Sequence, residues 1–218
     1  MTKLEKTQFN IIPKRKLLEE IGNSVTHGVG LLCAVIMFLL MLDRSDSITK
    51  NVAAYTYGIS MMLMMGMSSL YHAFPAKLIV KGLFRRFDYS SIYLLIGGTY
   101  APIFLILVGG NFGLSLFIIQ WSLIIFGITF ICVFGPGRFK LLHYTLYFVI
   151  GWGGAMFTPL FNGSNNYLLF WIGLGGVVYT LGMIPFMIRK SNCAHFIWHF
   201  FVLGGCFCQW IGIFNYLY

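Results

Sequence analysis

The stretch "KSNCAHFIWHFFVLGG", residues 190–205, sets His195 and His199 one helical turn apart where a long apolar run begins. Residues four apart share a helix face, so the two imidazoles can close on a single ion. His72 ends another apolar run in "SSLYHAFP", with Ser68 one turn earlier on the same face, and Asp88 opens a further run in "RRFDYSSIY". Ionisable groups at membrane depth cost about 2.5–3.5 kcal/mol at mid-helix on insertion scales and less near the ends, so each invites a functional reading. Three neutral imidazoles from two helices supply three of the four positions of a zinc tetrahedron, and leaving the fourth to water is the arrangement of catalytic sites. Such an ion acidifies water toward neutrality and equips it to attack a carbonyl. Asp88 can then orient or deprotonate that water, and Ser68 can donate a hydrogen bond to the water or to a developing oxyanion.

Plainer readings stand beside these. The HxxxH pair alone fits metal and no metal equally, and Phe196 stands where the zincin pattern has glutamate. Asp88 can instead be a counter-charge to Arg85 and Arg86. His143, in a loop after Arg138 and Lys140, reads as an interfacial hydrogen-bonding residue.

The elements that must carry these residues follow from composition. Of the 218 residues 58% are hydrophobic, 18% aromatic and only 10% charged, with a mean hydropathy of +0.81; soluble domains carry roughly 25% charged residues. Apolar runs of about 20 residues recur, each long enough to cross a hydrocarbon core as a helix. The sequence predicts an all-α integral membrane protein, a bundle of seven transmembrane helices at Gly22–Leu42, Val52–His72, Tyr89–Val108, Gly113–Phe134, Tyr144–Leu160, Tyr167–Met187 and Phe196–Leu217. Residues 1–21 form a cytoplasmic segment and 22–218 one membrane domain. That segment lacks the short apolar core and small-residue cleavage site of a signal peptide.

The net charge of +9 does not point to nucleic acid, because the basic residues lie between the apolar runs, where they set orientation. With seven spans, thirteen Lys and Arg fall on the side of the amino terminus, including Lys77, Lys81, Arg85, Arg86, Arg138, Lys140, Arg189 and Lys190, against Arg44 and Lys50 opposite. The amino terminus is therefore placed in the cytoplasm and the carboxyl terminus outside. The fifth span is glycine-rich, with Pro159, yet omitting it would move Arg189 and Lys190 outside and weaken the bias. All the candidate residues then share the cytoplasmic end.

The five cysteines, Cys33, Cys132, Cys193, Cys206 and Cys208, form no CxxC pairs and predict no disulfide framework. Asn162-Gly163-Ser164 matches a glycosylation acceptor in a short loop. The many glycines within spans let helix backbones approach closely in lipid.

Four motifs in order, "EEIGNSVTHGVG" (19–30), "SSLYHAFP" (68–75), "FDYSSIYLLIGGTYAP" (87–102) and "HFIWHFFVLGG" (195–205), resemble the hemolysin III family, the bacterial branch of the progestin and adiponectin receptor superfamily. The resemblance runs from Glu19 to the last residue. It implies a seven-helix bundle in the bacterial cell membrane with zinc near the cytoplasmic face, held by His72, His195 and His199, with Ser68 and Asp88 beside it. It implies membrane lipids as partners and offers three activities: hydrolysis of a lipid amide or ester with a place in lipid homeostasis, membrane lysis or pore formation, and lipid sensing. Glu20, Asn23 and His27 match the first-span motif without a ligand role, and are expected to form a polar cluster near the site. Gln209 stands where many relatives have histidine. At ten residues past His199 it is about 15 Å away along a helix, beyond reach of the same ion.

Overall fold

The computed structural model describes residues 15–153, 166–187 and 193–218. Among them are seven α-helices: α1 (Leu17–Asp43), α2 (Ile48–Ala73), α3 (Ile79–Pro102), α4 (Gly110–Phe134), α5 (Lys140–Gly153), α6 (Asn166–Met187) and α7 (Ala194–Leu217). Five are long and apolar enough to span a membrane: α1, α3 with its continuation to Val108, α4, α6 and α7. The remainder of the fifth expected span, the Asn162-Gly163-Ser164 sequon, Arg189 and Lys190 lie outside the described residues.

Helix α2 is 26 residues long but falls outside those five, because its sequence carries Thr, Ser, Asn and Tyr among the methionines. Its position accounts for this. It packs extensively against both α1 and α3, and buries Ala54, Tyr57, Met61, Met64, Met65 and Tyr71 among others. The faces turned to α1 and α3 can carry polar side chains that have partners, while Val52, Tyr55, Ile59, Leu63 and Leu70 keep an exposed apolar stripe. Helix α3 begins at Ile79, well before the expected Tyr89, because Lys81 and Arg85 are buried against neighbouring helices rather than ending the element in water.

At its far end α3 passes through Pro102, which has no N–H to donate, into a π-helical segment, Ile103–Val108. The Gly109 N–H reaches back to the Phe104 carbonyl at 3.0 Å, and Gly109 ends the segment with φ +65°, a conformation most side chains resist.

The largest core cluster joins α1, α2, α3, α6 and α7 through residues such as Ala34, Met61, Leu95, Leu168, Val202 and Ile213. A second, around Tyr93, Ile124, Ile131 and Ile150, binds α3 to α4 and α5. Helix α7 packs mainly on α6 and then on α1, so the first and last helices meet. Small residues permit that approach: a Cβ on Gly22 would lie 2.9 Å from the Phe196 ring, and one on Gly30 would lie 2.6 Å from Leu203 and 2.8 Å from Met65. At the same level Ser24 Oγ donates to the Ser69 carbonyl at 3.0 Å and Ser69 Oγ to the Ser24 carbonyl at 2.8 Å, a reciprocal clamp that fixes the register of α1 on α2.

Candidate metal centre

One end of the bundle collects the last turn of α2, the first turns of α1 and α7, and the early part of α3. His72, His195 and His199 meet there, each offering one ring nitrogen within 4.8 Å of the others. The ring centroids lie 4.9 to 5.0 Å apart, and the Nε2 atoms of His72 and His195 are 3.1 Å apart. Two nitrogens on one tetrahedral zinc, with Zn–N near 2.0–2.1 Å, would be separated by about 3.3 Å. The rings therefore stand close to ligand spacing, and an all-imidazole donor set suits zinc and its first-row neighbours. Pairing i with i+4 on α7 brings His195 and His199 together, and the α2–α7 approach supplies His72.

The other side of His72 is also engaged. Its Nδ1 lies 2.6 Å from Glu20 Oε2, and the Asn23 amide nitrogen stands 3.4 Å from the same atom. The Glu20 carboxylate is in turn held by Lys81, whose buried ammonium donates to Oε1 at 3.1 Å and to the Phe74 carbonyl at 2.8 Å. Arg15 stands 3.9 Å from Oε1. His27, fully buried, stacks on His199 with centroids 3.7 Å apart and planes 16° from parallel. Glu20, Asn23 and His27, at spacings of three and four, thus turn one face of α1 toward the histidines of α2 and α7.

Asp88 is buried, and Ser68, Arg15, Arg85 and Glu20 share its electrostatic surroundings. It is not a member of the three-histidine cluster, whereas Ser68 sits one turn before His72 on the same helix. His143 differs from the sequence expectation of a loop residue. It lies inside α5, is 1% exposed and has its Nδ1 2.9 Å from the Tyr93 hydroxyl, because α5 starts at Lys140 and turns this face toward α3.

Beside the histidines, between α3, α5, α6 and α7, opens a largely apolar cavity of about 130 Å³. Phe186 and Trp198 form the wall nearest the site, with Phe186 5.8 Å from the His195 ring and 5.1 Å from Trp198. Tyr144, Tyr179 and, deeper, Gln209 complete the lining.

The sequence singles out the three histidines, whereas for Glu20, Asn23 and His27 it predicts a polar cluster near the site without naming their contacts. Their signal was same-face spacing, which identifies a face and not what the face meets.

A family model described as Haemolysin-III related matches residues 15–210. The chain belongs to the haemolysin-III-related family. It is 38% identical over 194 residues to a Hemolysin-3 homolog of Bacillus subtilis (strain 168), covering 86% of this chain and 89% of the relative. It is 37% identical over 191 residues to Hemolysin-3 of Bacillus cereus, covering 86% of each. The human monocyte to macrophage differentiation factor is 24% identical over 208 residues, covering 92% of this chain and 85% of that protein. With its apolar spans and bacterial relatives, this haemolysin-III-type chain is an integral protein of the bacterial cell membrane.

Proposed function

We propose that this haemolysin-III-type protein is a zinc-dependent hydrolase of a membrane-lipid amide or ester, with seven spans, its amino terminus in the cytoplasm and its site at the cytoplasmic end. The observation that carries the reading is the convergence of His72, His195 and His199, with Ser68, one turn before His72, and Asp88 both buried. When bound, zinc polarises a carbonyl and acidifies water. Asp88 takes a proton from the attacking water and passes it to the leaving nitrogen or oxygen as the acyl bond breaks, so that a carboxylate and an amine or alcohol leave. Ser68 holds Asp88 in place and donates to the oxyanion that forms. The apolar cavity beside Phe186 and Trp198 keeps bulk water out and receives the acyl chain. Turnover of membrane lipid by such a site would serve lipid homeostasis.

Elemental analysis of the purified protein, beside His72→Ala, His195→Ala and His199→Ala checked for folding, tests the site; turnover on lipid amides and esters tests the activity. Zinc in the wild type and its loss from each variant is expected. Zinc retained in all three removes the site, and zinc without hydrolysis of any lipid class leaves it structural. The names of the Bacillus relatives favour a second reading, membrane lysis. Red-cell lysis that persists in His199→Ala would support it, and liposomes that stay sealed with the wild type would count against a pore.

A further inference from the structure

We infer that Glu20 is a positioning residue: it fixes His72 with hydrogen on Nδ1 and so aims the Nε2 lone pair at the point shared with His195 and His199. The inference rests on the metal reading of the three histidines and assigns a role to a residue of the first helix that is itself no ligand.

The contact between Glu20 Oε2 and His72 Nδ1 is 2.6 Å, among the shortest polar contacts at the site. A carboxylate oxygen and a bare ring nitrogen would face each other lone pair to lone pair, so a hydrogen lies between them. Lys81 and Arg15 gather around the other carboxylate oxygen, which holds the anion and leaves the hydrogen on the ring. In a neutral imidazole the second nitrogen is then the acceptor, and His72 Nε2 is the atom that faces His195 at 3.1 Å. The Glu20 side chain is itself anchored, because Lys81 ties it to the Phe74 carbonyl just past His72 and the Ser24–Ser69 clamp fixes α1 against α2 one turn away. A carboxylate on the outer nitrogen of a ligating histidine sets ring orientation and raises ligand basicity, and its loss typically weakens metal binding by roughly 10- to 100-fold.

Removing Glu20 alone would strand the Lys81 ammonium, which is 1% exposed, and the variant could fail to fold. The test therefore uses Lys81→Met as its reference and adds Glu20→Ala or Glu20→Gln to it. Side-chain nitrogen shifts of ¹⁵N-histidine-labelled, metal-free protein in detergent report the His72 tautomer, and cobalt(II) titration reports affinity. The reference should show His72 as the Nδ1–H form. Adding Glu20→Ala should let both tautomers appear and weaken cobalt binding roughly 10- to 100-fold. Adding Glu20→Gln, whose amide oxygen still accepts from Nδ1, should restore the single tautomer and most of the affinity. A role confined to packing would lower thermal stability and leave both readouts alone. An unchanged tautomer or unchanged cobalt affinity in the folded Glu20→Ala variant overturns the assignment. A wild-type protein that takes up no cobalt overturns instead the metal reading, while the tautomer still decides what Glu20 does.

Discussion

At the scale of single residues, the proposed function divides the site into groups that would hold an ion and groups that would move a proton, and the two can be separated by experiment. Asp88→Asn keeps the size of the side chain but removes the base. Its expected outcome is unchanged zinc content with turnover down by about 100-fold or more, measured on the same purified sample. Ser68→Ala should lose less, because it removes one donor and leaves the carboxylate in place. If Asp88→Asn loses the zinc as well, the carboxylate belongs to the metal shell and not to proton transfer. Which residues were legible beforehand follows from the kind of signal each gives. His195 and His199 announce themselves by spacing, and His72 by being an imidazole at the edge of an apolar run. Glu20 is hidden, since an acid in the first turn of a helix is favoured there by the backbone dipole whatever it touches. Lys81 is hidden too, because a lysine between spans looks like one more orienting charge, whereas here it is enclosed and clasps Glu20 across 61 residues of sequence.

At the scale of elements, the site depends on the register of α1, which reaches α2 through the Ser24–Ser69 clamp and α7 across Gly22 and Gly30. Ser24→Ala and Ser69→Ala should each cost about 1 kcal/mol of stability, and the double variant about the sum, because each hydroxyl donates to the other residue's backbone carbonyl and either substitution leaves the opposite arm in place. Reversible unfolding in mixed detergent measures this, and a double variant costing well below the sum would show that the two arms are coupled. Helix positions were largely readable, since a run of about 20 apolar residues has few other uses. The exceptions have causes. Helix α2 is too polar to stand out by hydropathy, because two of its faces pack on α1 and α3 and carry its polar side chains, and α3 starts early because Lys81 and Arg85 are buried rather than solvated. Spacing could not show that α1 and α7 touch, since that contact comes from tertiary packing around glycines and leaves no periodicity in either helix.

At the scale of the whole molecule, charge distribution and chain order set how the protein sits and how it comes together. In the proposed seven-span arrangement thirteen basic residues fall on one side against Arg44 and Lys50 on the other, a bias that would place the amino terminus in the cytoplasm. In a cysteine-free background, Lys50→Cys should react with a membrane-impermeant maleimide added to intact cells, and Lys77→Cys only after the membrane is opened; the reverse pattern would invert the bundle. The bias was legible because it needs only a count, while the closing of the bundle was not, because it joins residues far apart in the chain. His72 and His195 are 123 residues apart, on the second and the last of the described helices. The ribosome has long finished the first ligand when it makes the other two, and a nascent protein whose final helix is still in the exit tunnel has only one of the three imidazoles in the membrane. On the proposed zinc reading, capture of the ion would be the closing event of biogenesis, and a message truncated before α7 would yield an inserted but chemically inert polypeptide.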